Sequence, residues 1–102
     1  MDEFKEQGIA NTAWAFAKVG RSDAELFLTL AAAAVAKIEG FNEQNITNTA
    51  WAFATVGRSD AELFLALSAA AMAKIDGLNQ QNISNLAWAF ATVGRHDAEL
   101  FS

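Results

Sequence analysis

The chain has 102 residues, 53% of them hydrophobic, which is too apolar for a disordered segment and enough to bury one small core. The absence of cysteine excludes disulfides and thiolate metal sites. The net charge of -5 argues against a protein that holds nucleic acid through an overall basic surface, because phosphate contacts come mainly from lysine and arginine.

One stretch recurs three times along the chain with almost no change. It occupies residues 11–27, 48–64 and 85–101, and its tryptophans (Trp14, Trp51 and Trp88) are 37 residues apart. A fixed period of this length is typical of helical-repeat proteins. We therefore predict an all-α fold, a right-handed α-solenoid of two-helix repeats with a 37-residue period.

The repeats divide the chain into three units. The helical repeat array covers residues 1–102, with repeat 1 at 4–40, repeat 2 at 41–77 and a truncated repeat 3 at 78–102. Because repeat 3 stops soon after its second helix should begin, we expect a fragment of a longer array. Met1–Glu6 is acidic and lacks the basic flank of a signal peptide, so we expect no targeting segment in this chain.

The first helix of each repeat carries clear start and stop signals. In repeat 2, Asn42 is the predicted N-cap and Gly57 the left-handed residue that ends the helix. Between them Ile46, Ala50 and Phe53 fall on one stripe at helical spacing, which predicts the buried face.

The second helix is predicted to open with a capping box, Ser59–Glu62, with Ser59 as N-cap. The equivalent cap positions are Ser22 and His96. This helix should run to about Asp76 and stop at Gly77. It is apolar almost all round, so we expect neighbouring repeats to bury it on nearly every side.

The first helix also carries a polar and aromatic row opposite the buried stripe. Tryptophan faces can stack on bases and amides can bond base edges, as in solenoids that read one base per repeat. The alternative is that each tryptophan packs between consecutive first helices while the amides satisfy backbone groups. The candidate RNA-binding residues of this row are Gln7, Asn11, Trp14, Lys18, Gln44, Asn48, Trp51, Thr55, Gln81, Asn85, Trp88 and Thr92.

Positions that differ between repeats are the candidates for a reading code. They are Gly8, Asn45 and Asn82, then Ala10, Thr47 and Ser84, then Lys18, Thr55 and Thr92.

An arginine recurs once per repeat in the predicted turn between helices. Arg21, Arg58 and Arg95 are also candidate RNA-binding residues, because a row of guanidinium groups can contact phosphates. They can equally complement the dipole of the first helix or pair with nearby carboxylates.

Catalysis has little support in this sequence. The one histidine, His96, lacks the partners that a nucleophile–base pair or a histidine metal site requires. We therefore expect no catalytic residue, no metal site and no cofactor, and the chain is predicted not to be an enzyme.

The motif Gln-Asn-Ile-x-Asn-x-Ala-Trp-Ala-Phe-Ala-Thr-Val-Gly, at residues 44–57, resembles the core of octotricopeptide repeats. It is similar to the helical repeats of RAP-domain and FAST-kinase-like proteins, and to repeats in a subunit of the RNA-editing substrate-binding complex. The resemblance implies a non-catalytic module that binds single-stranded RNA in organellar RNA processing, stability or translation. It also implies a mitochondrial or chloroplast location and possible partners in an RNA-processing complex, with no membrane.

A protein-interaction scaffold is the alternative function. The asparagine and tryptophan row would then grip an extended peptide or a partner helix, by analogy with armadillo-type arrays. RNA binding should weaken steeply with salt, whereas peptide binding should survive salt and fail when Asn11, Asn48 and Asn85 become alanine.

Overall fold

The computed structural model describes residues 5–20, 23–58 and 60–96, with side chains up to residue 94. Within these ranges the chain is helical and contains no strand, as the sequence predicts. The five α-helices are α1 (Glu6–Lys18), α2 (Ala24–Ala36), α3 (Glu43–Thr55), α4 (Ala61–Ala73) and α5 (Gln80–His96). Short 3-10 turns at Ile38–Gly40 and Ile75–Gly77 follow α2 and α4.

The helices form two layers. α3 packs between α1 and α5, and these three helices make the first-helix layer. α2 contacts α4 in the second-helix layer, and each also packs on the first helix that precedes it. The core lies between the layers, and the predicted stripe of Ile46, Ala50 and Phe53 is buried there.

Phenylalanine pairs join the two layers across consecutive repeats. The rings of Phe27 in α2 and Phe53 in α3 meet edge to face with centroids 5.1 Å apart. Phe64 in α4 and Phe90 in α5 repeat this contact at 5.4 Å. Each pair joins the second helix of one repeat to the first helix of the next, so packing at the seam depends on aromatic contact.

The start of α3 confirms the predicted cap and adds a second bond. The Asn42 side chain accepts from the Asn45 backbone N–H at 2.7 Å, and the Asn45 side chain accepts from the Asn42 N–H at 3.1 Å. Asn79 and Asn82 make the same reciprocal pair at the start of α5. These bonds satisfy backbone donors that the first helical turn otherwise leaves unpaired.

The predicted N-cap of the second helix was wrong by one residue. Asp23 and Asp60, not the serines before them, have extended backbone angles and accept from the N–H of Leu26 and Leu63. A carboxylate is favoured here because its charge also interacts with the positive end of the helix dipole. Ser22, Ser59 and the side chain of His96 lie outside the described residues, and the backbone of His96 belongs to α5.

The predicted end of the second helix was also too late. α4 ends at Ala73 with Lys74 as C-cap, and the chain passes through a 3-10 turn before Gly77. Gly77 lies against the side chain of Glu43 in the first turn of α3, and Gly40 lies in the same way against Glu6. At these two positions glycine lets the chain pass close to a glutamate side chain, and it does not end a helix in the left-handed conformation.

The second helices are not buried on nearly every side, contrary to the prediction. α4 buries Leu63, Phe64 and Leu67, but Leu65 is 73% and Met72 68% exposed. In two layers, each second helix has one face on the core and one outer face that no described element covers. That outer face is apolar in this chain.

Gly57 ends α3 as predicted, whereas its equivalent in α5 does not. Gly57 has a φ of 75°, and the bonds from Gly57 N–H to Ala54 and from Arg58 N–H to Phe53 close a Schellman motif. α5 instead continues through Gly94, which lacks a positive φ. Glycine allows either conformation, so the surrounding chain decides between them.

Exchanging these two glycines for alanine should therefore have opposite effects. Gly57→Ala should lower the free energy of unfolding by about 1 kcal/mol, because alanine resists the left-handed conformation. Gly94→Ala should raise it by about 0.5 kcal/mol, because alanine is the better residue inside a helix. Urea unfolding followed by circular dichroism measures both, and equal destabilisation by the two variants would contradict a helical Gly94.

Candidate nucleic-acid interface

A groove crosses the first-helix layer and collects most of the predicted amides. It has a volume of about 430 Å³, and we call it the amide–tryptophan groove. Its lining residues are Asn11, Trp14, Gln44, Asn48, Gln81 and Asn85, two each from α1, α3 and α5. Within each helix the two lie three or four residues apart and so share one face. The structure thus brings six of the predicted residues together across three helices.

The tryptophans contact one another and also remain open to solvent. The rings of Trp14 and Trp51 lie 6.4 Å apart between centroids, at 39° to each other. Trp14 is 39% and Trp88 44% exposed, while Trp51 is half-buried against the core. The sequence left two alternatives for the tryptophans: packing between first helices, or an exposed aromatic surface. In the structure the tryptophans do both.

Lys18 places a positive charge at the edge of the groove. Its Nζ lies 4.9 Å from the ring centroid of Trp14, within the range of a cation–π contact. The equivalent residues are Thr55, which is exposed, and Thr92, which is half-buried. An ammonium group beside an exposed indole can hold a phosphate next to a stacked base.

The amides in the groove retain free hydrogen-bonding capacity. Gln44 Nε2 donates to Asn48 Oδ1 at 2.8 Å, which orients the two side chains along α3. This bond leaves the Gln44 carbonyl oxygen as an acceptor and the Asn48 amide group as a donor. An adjacent donor and acceptor match the edge of a base. Gln7 and Gln81 are exposed at the equivalent positions of α1 and α5.

Two of the three sets proposed as a reading code contain residues that the fold uses. Asn45 is only 6% exposed, and its side chain caps α3. Thr47 is also buried, and its hydroxyl donates to the Glu43 backbone oxygen at 2.9 Å. Burial leaves Asn45 and Thr47 almost no surface for a ligand, so the code prediction was wrong for these two residues, while Ser84 is exposed. The surviving set is Lys18, Thr55 and Thr92.

The arginine that the structure describes lies apart from the amide–tryptophan groove. Arg58 lines another groove, of about 410 Å³, with neighbours that include Leu28, Phe53 and Asp60. Its Nε is buried without a hydrogen-bond partner. Arg21 and the side chain of Arg95 lie outside the described residues. RNA binding by the arginine row and RNA binding by the amide–tryptophan row are therefore two separate predictions.

Charge is divided unevenly between the two layers. The described parts of the second helices and their 3-10 turns and caps carry six carboxylates and two lysines: Asp23, Glu25, Glu39, Asp60, Glu62 and Asp76, with Lys37 and Lys74. The described first-helix elements and the residues flanking them carry Lys5, Lys18 and Arg58 with Glu6 and Glu43. The acidic excess thus belongs mainly to the layer opposite the groove.

Other classes of site find no support in the described part of the chain. No group of three or more histidine or acidic side chains there is placed to hold a metal ion. None of the helices described is long and apolar enough to span a bilayer.

Comparison with known proteins supplies a family match over the whole chain. The family model described as RNA-editing substrate-binding complex 6 protein matches residues 1–102. This match supports the RNA-editing part of the resemblance drawn from the repeats, and it does not support octotricopeptide or RAP-type repeats specifically. Neither the curated proteins nor the solved structures give a match.

Proposed function

The chain belongs to the RNA-editing substrate-binding complex 6 protein family, and from this premise we propose that it is a non-catalytic helical-repeat module that binds single-stranded RNA. The amide–tryptophan groove is the proposed binding surface. Its convergence from three helices is the observation that carries the proposal, because one set of stacking and bonding groups recurs along a continuous face.

The proposed architecture is a right-handed α-solenoid with a 37-residue period. The bounds of α1 and α3 differ by 37 residues at each end, as do those of α2 and α4. Each of these four helices has 13 residues. Helices of equal length at a fixed offset support repetition of one unit, in which stacked neighbours bury a continuous core.

In the proposed binding mode each part of the nucleotide has a partner. Bases stack on Trp14 in the groove and on Trp88, which is exposed on the same row outside it, because every base offers a π-face. The Gln44 and Asn48 pair bonds the edge of a base, and Lys18 holds a phosphate. The net acidity of the chain opposes this mode only weakly, because most of the described carboxylates lie on the other layer.

The family favours a mitochondrial setting for this activity, in RNA editing and processing, and gives no support to the chloroplast. In that setting the module would hold RNA for other proteins of the complex. No catalytic step by this chain belongs to the proposal.

The salt dependence of RNA binding tests the role of Lys18. Affinity for a labelled single-stranded RNA, measured by fluorescence anisotropy, should fall steeply as KCl rises. Lys18→Gln should weaken binding and lower the slope of log affinity against log salt by about 0.7, the contribution of one phosphate contact on a single strand. Arg58→Gln tests the separate arginine row in the same assay.

Lys74→Gln is the matched control, because the same change at the end of α4 alters the other layer. An equal effect of the two lysine variants would refute the assigned face. Absence of RNA binding at low salt, together with salt-insensitive binding of an extended peptide, would favour the scaffold function instead.

A further inference from the structure

The outer faces of α2 and α4 expose apolar side chains that the core does not use. Leu28 is 60% exposed, and Leu65, its equivalent one repeat later, is 73% exposed. In α4 the exposed residues Leu65, Ala69 and Met72 follow one another at i, i+4 and i+7. Leu28 and Ala32 are exposed at the same spacing in α2, whereas Val35, the equivalent of Met72, is half-buried and packs against the core. This is the spacing by which one helix packs on another. We call the five exposed residues Leu28, Ala32, Leu65, Ala69 and Met72 the second-helix face.

Stacking of repeats does not account for the exposure of the two leucines. α4 already packs beside α2, and yet Leu28 remains mostly in solvent. The position therefore stays open when a neighbouring second helix is in place. A large apolar side chain that recurs in solvent, in a row along a helix, marks an interaction surface rather than scattered surface leucines.

Carboxylates bracket the second-helix face at both ends. Glu25 and Glu62 lie three residues before Leu28 and Leu65, and all four are exposed. Glu39 and Asp76, also exposed, lie four residues after Val35 and Met72, in the 3-10 turns. Arg58 and Asp60 also line a groove with Leu28, so the face is an apolar stripe with a rim that is negative on balance.

The rim determines which occupant fits. RNA and anionic lipid are repelled by the carboxylates. A second copy of the chain would bring the same carboxylates face to face, which is also unfavourable. A partner helix with an apolar stripe flanked by lysine and arginine can cover the leucines and place its cations beside the carboxylates of the rim.

We propose that the second-helix face docks an amphipathic helix of a partner protein whose apolar stripe is flanked by basic residues. The partner then lies on the layer opposite the amide–tryptophan groove. The two surfaces share no residue, so partner and RNA bind at the same time.

Two synthetic helical peptides test this docking. Both carry leucines at i, i+4 and i+7, one with lysines and the other with glutamates beside the stripe, and fluorescence anisotropy measures binding to the full chain. The lysine peptide should bind and the glutamate peptide should not. Leu28→Lys combined with Leu65→Lys should weaken binding of the lysine peptide by about tenfold or more, since each substitution removes apolar area that the peptide would bury.

Controls separate the face from general charge attraction. Ala15→Lys with Ala87→Lys adds the same two charges at exposed positions of α1 and α5 and should leave peptide affinity unchanged. Glu25→Gln with Glu62→Gln should weaken binding of the lysine peptide and make that binding less dependent on salt. RNA affinity should not fall in any of these variants.

Three outcomes would overturn the proposal. The first is equal binding of the two peptides, and the second is unchanged affinity in the double leucine variant. The third is self-association of the chain in sedimentation that Leu65→Lys abolishes, which would assign the face to a second copy.

Discussion

Replacing Trp14 and Trp88 together with alanine is expected to lower affinity for single-stranded RNA by about 100-fold, because stacking of a base on an aromatic ring contributes about 1–3 kcal/mol. These two indoles are the exposed ones, so their removal should leave the fold intact. Anisotropy with a labelled RNA measures the loss, and circular dichroism checks the helix content.

Phenylalanine at the same two positions is the matched control. It removes the indole N–H but keeps a stacking face, so Trp14→Phe with Trp88→Phe should retain most of the affinity. If the alanine variant bound RNA as tightly as the parent chain, stacking on these indoles would have no part in binding.

Phe53→Ala is expected to cost about 3–5 kcal/mol of stability, a large part of what a small domain possesses. Phe53 is fully enclosed and meets Phe27 across the seam between repeats 1 and 2. Its loss leaves a cavity where the two layers join. Urea unfolding followed by circular dichroism measures the change.

Two comparisons make this prediction specific. Phe90→Ala should cost less than Phe53→Ala, because Phe90 is half-buried in the equivalent pair. Leu65→Ala should change stability by less than about 0.5 kcal/mol, since most of that side chain is in solvent. A cost at Leu65 similar to that at Phe53 would contradict the outer position of the second-helix face.

Features set by short stretches of chain were predictable from the sequence. The Asn42 cap, the left-handed Gly57 and the buried stripe from Ile46 to Phe53 each depend on residues within a few turns of one another. The amide–tryptophan groove could also be predicted from the sequence, because helical spacing puts Asn48 and Gln44 on one face and the repeat places copies of that face side by side.

Features that depend on competition between neighbouring groups were not predictable. Ser59 and Asp60 are both good N-caps, and only the backbone path selects Asp60. Asn45 appeared free to read a base because its bond to the Asn42 N–H depends on the geometry of the cap. The exposure of Leu65 depends on where the second layer ends, which hydrophobic periodicity does not show.

The most direct test of RNA binding at the amide–tryptophan groove uses the indole N–H signals of the protein. The chain has 3 tryptophans, so a nitrogen–proton correlation spectrum has three indole cross-peaks to follow during titration with single-stranded RNA. The indole signals of Trp14, which lines the groove, and of Trp88, which is exposed on the same row, are expected to shift progressively, while the backbone amides of Leu28 and Leu65 stay unchanged. Unmoved indole signals, with shifts confined to the second-helix face, would contradict binding in the groove.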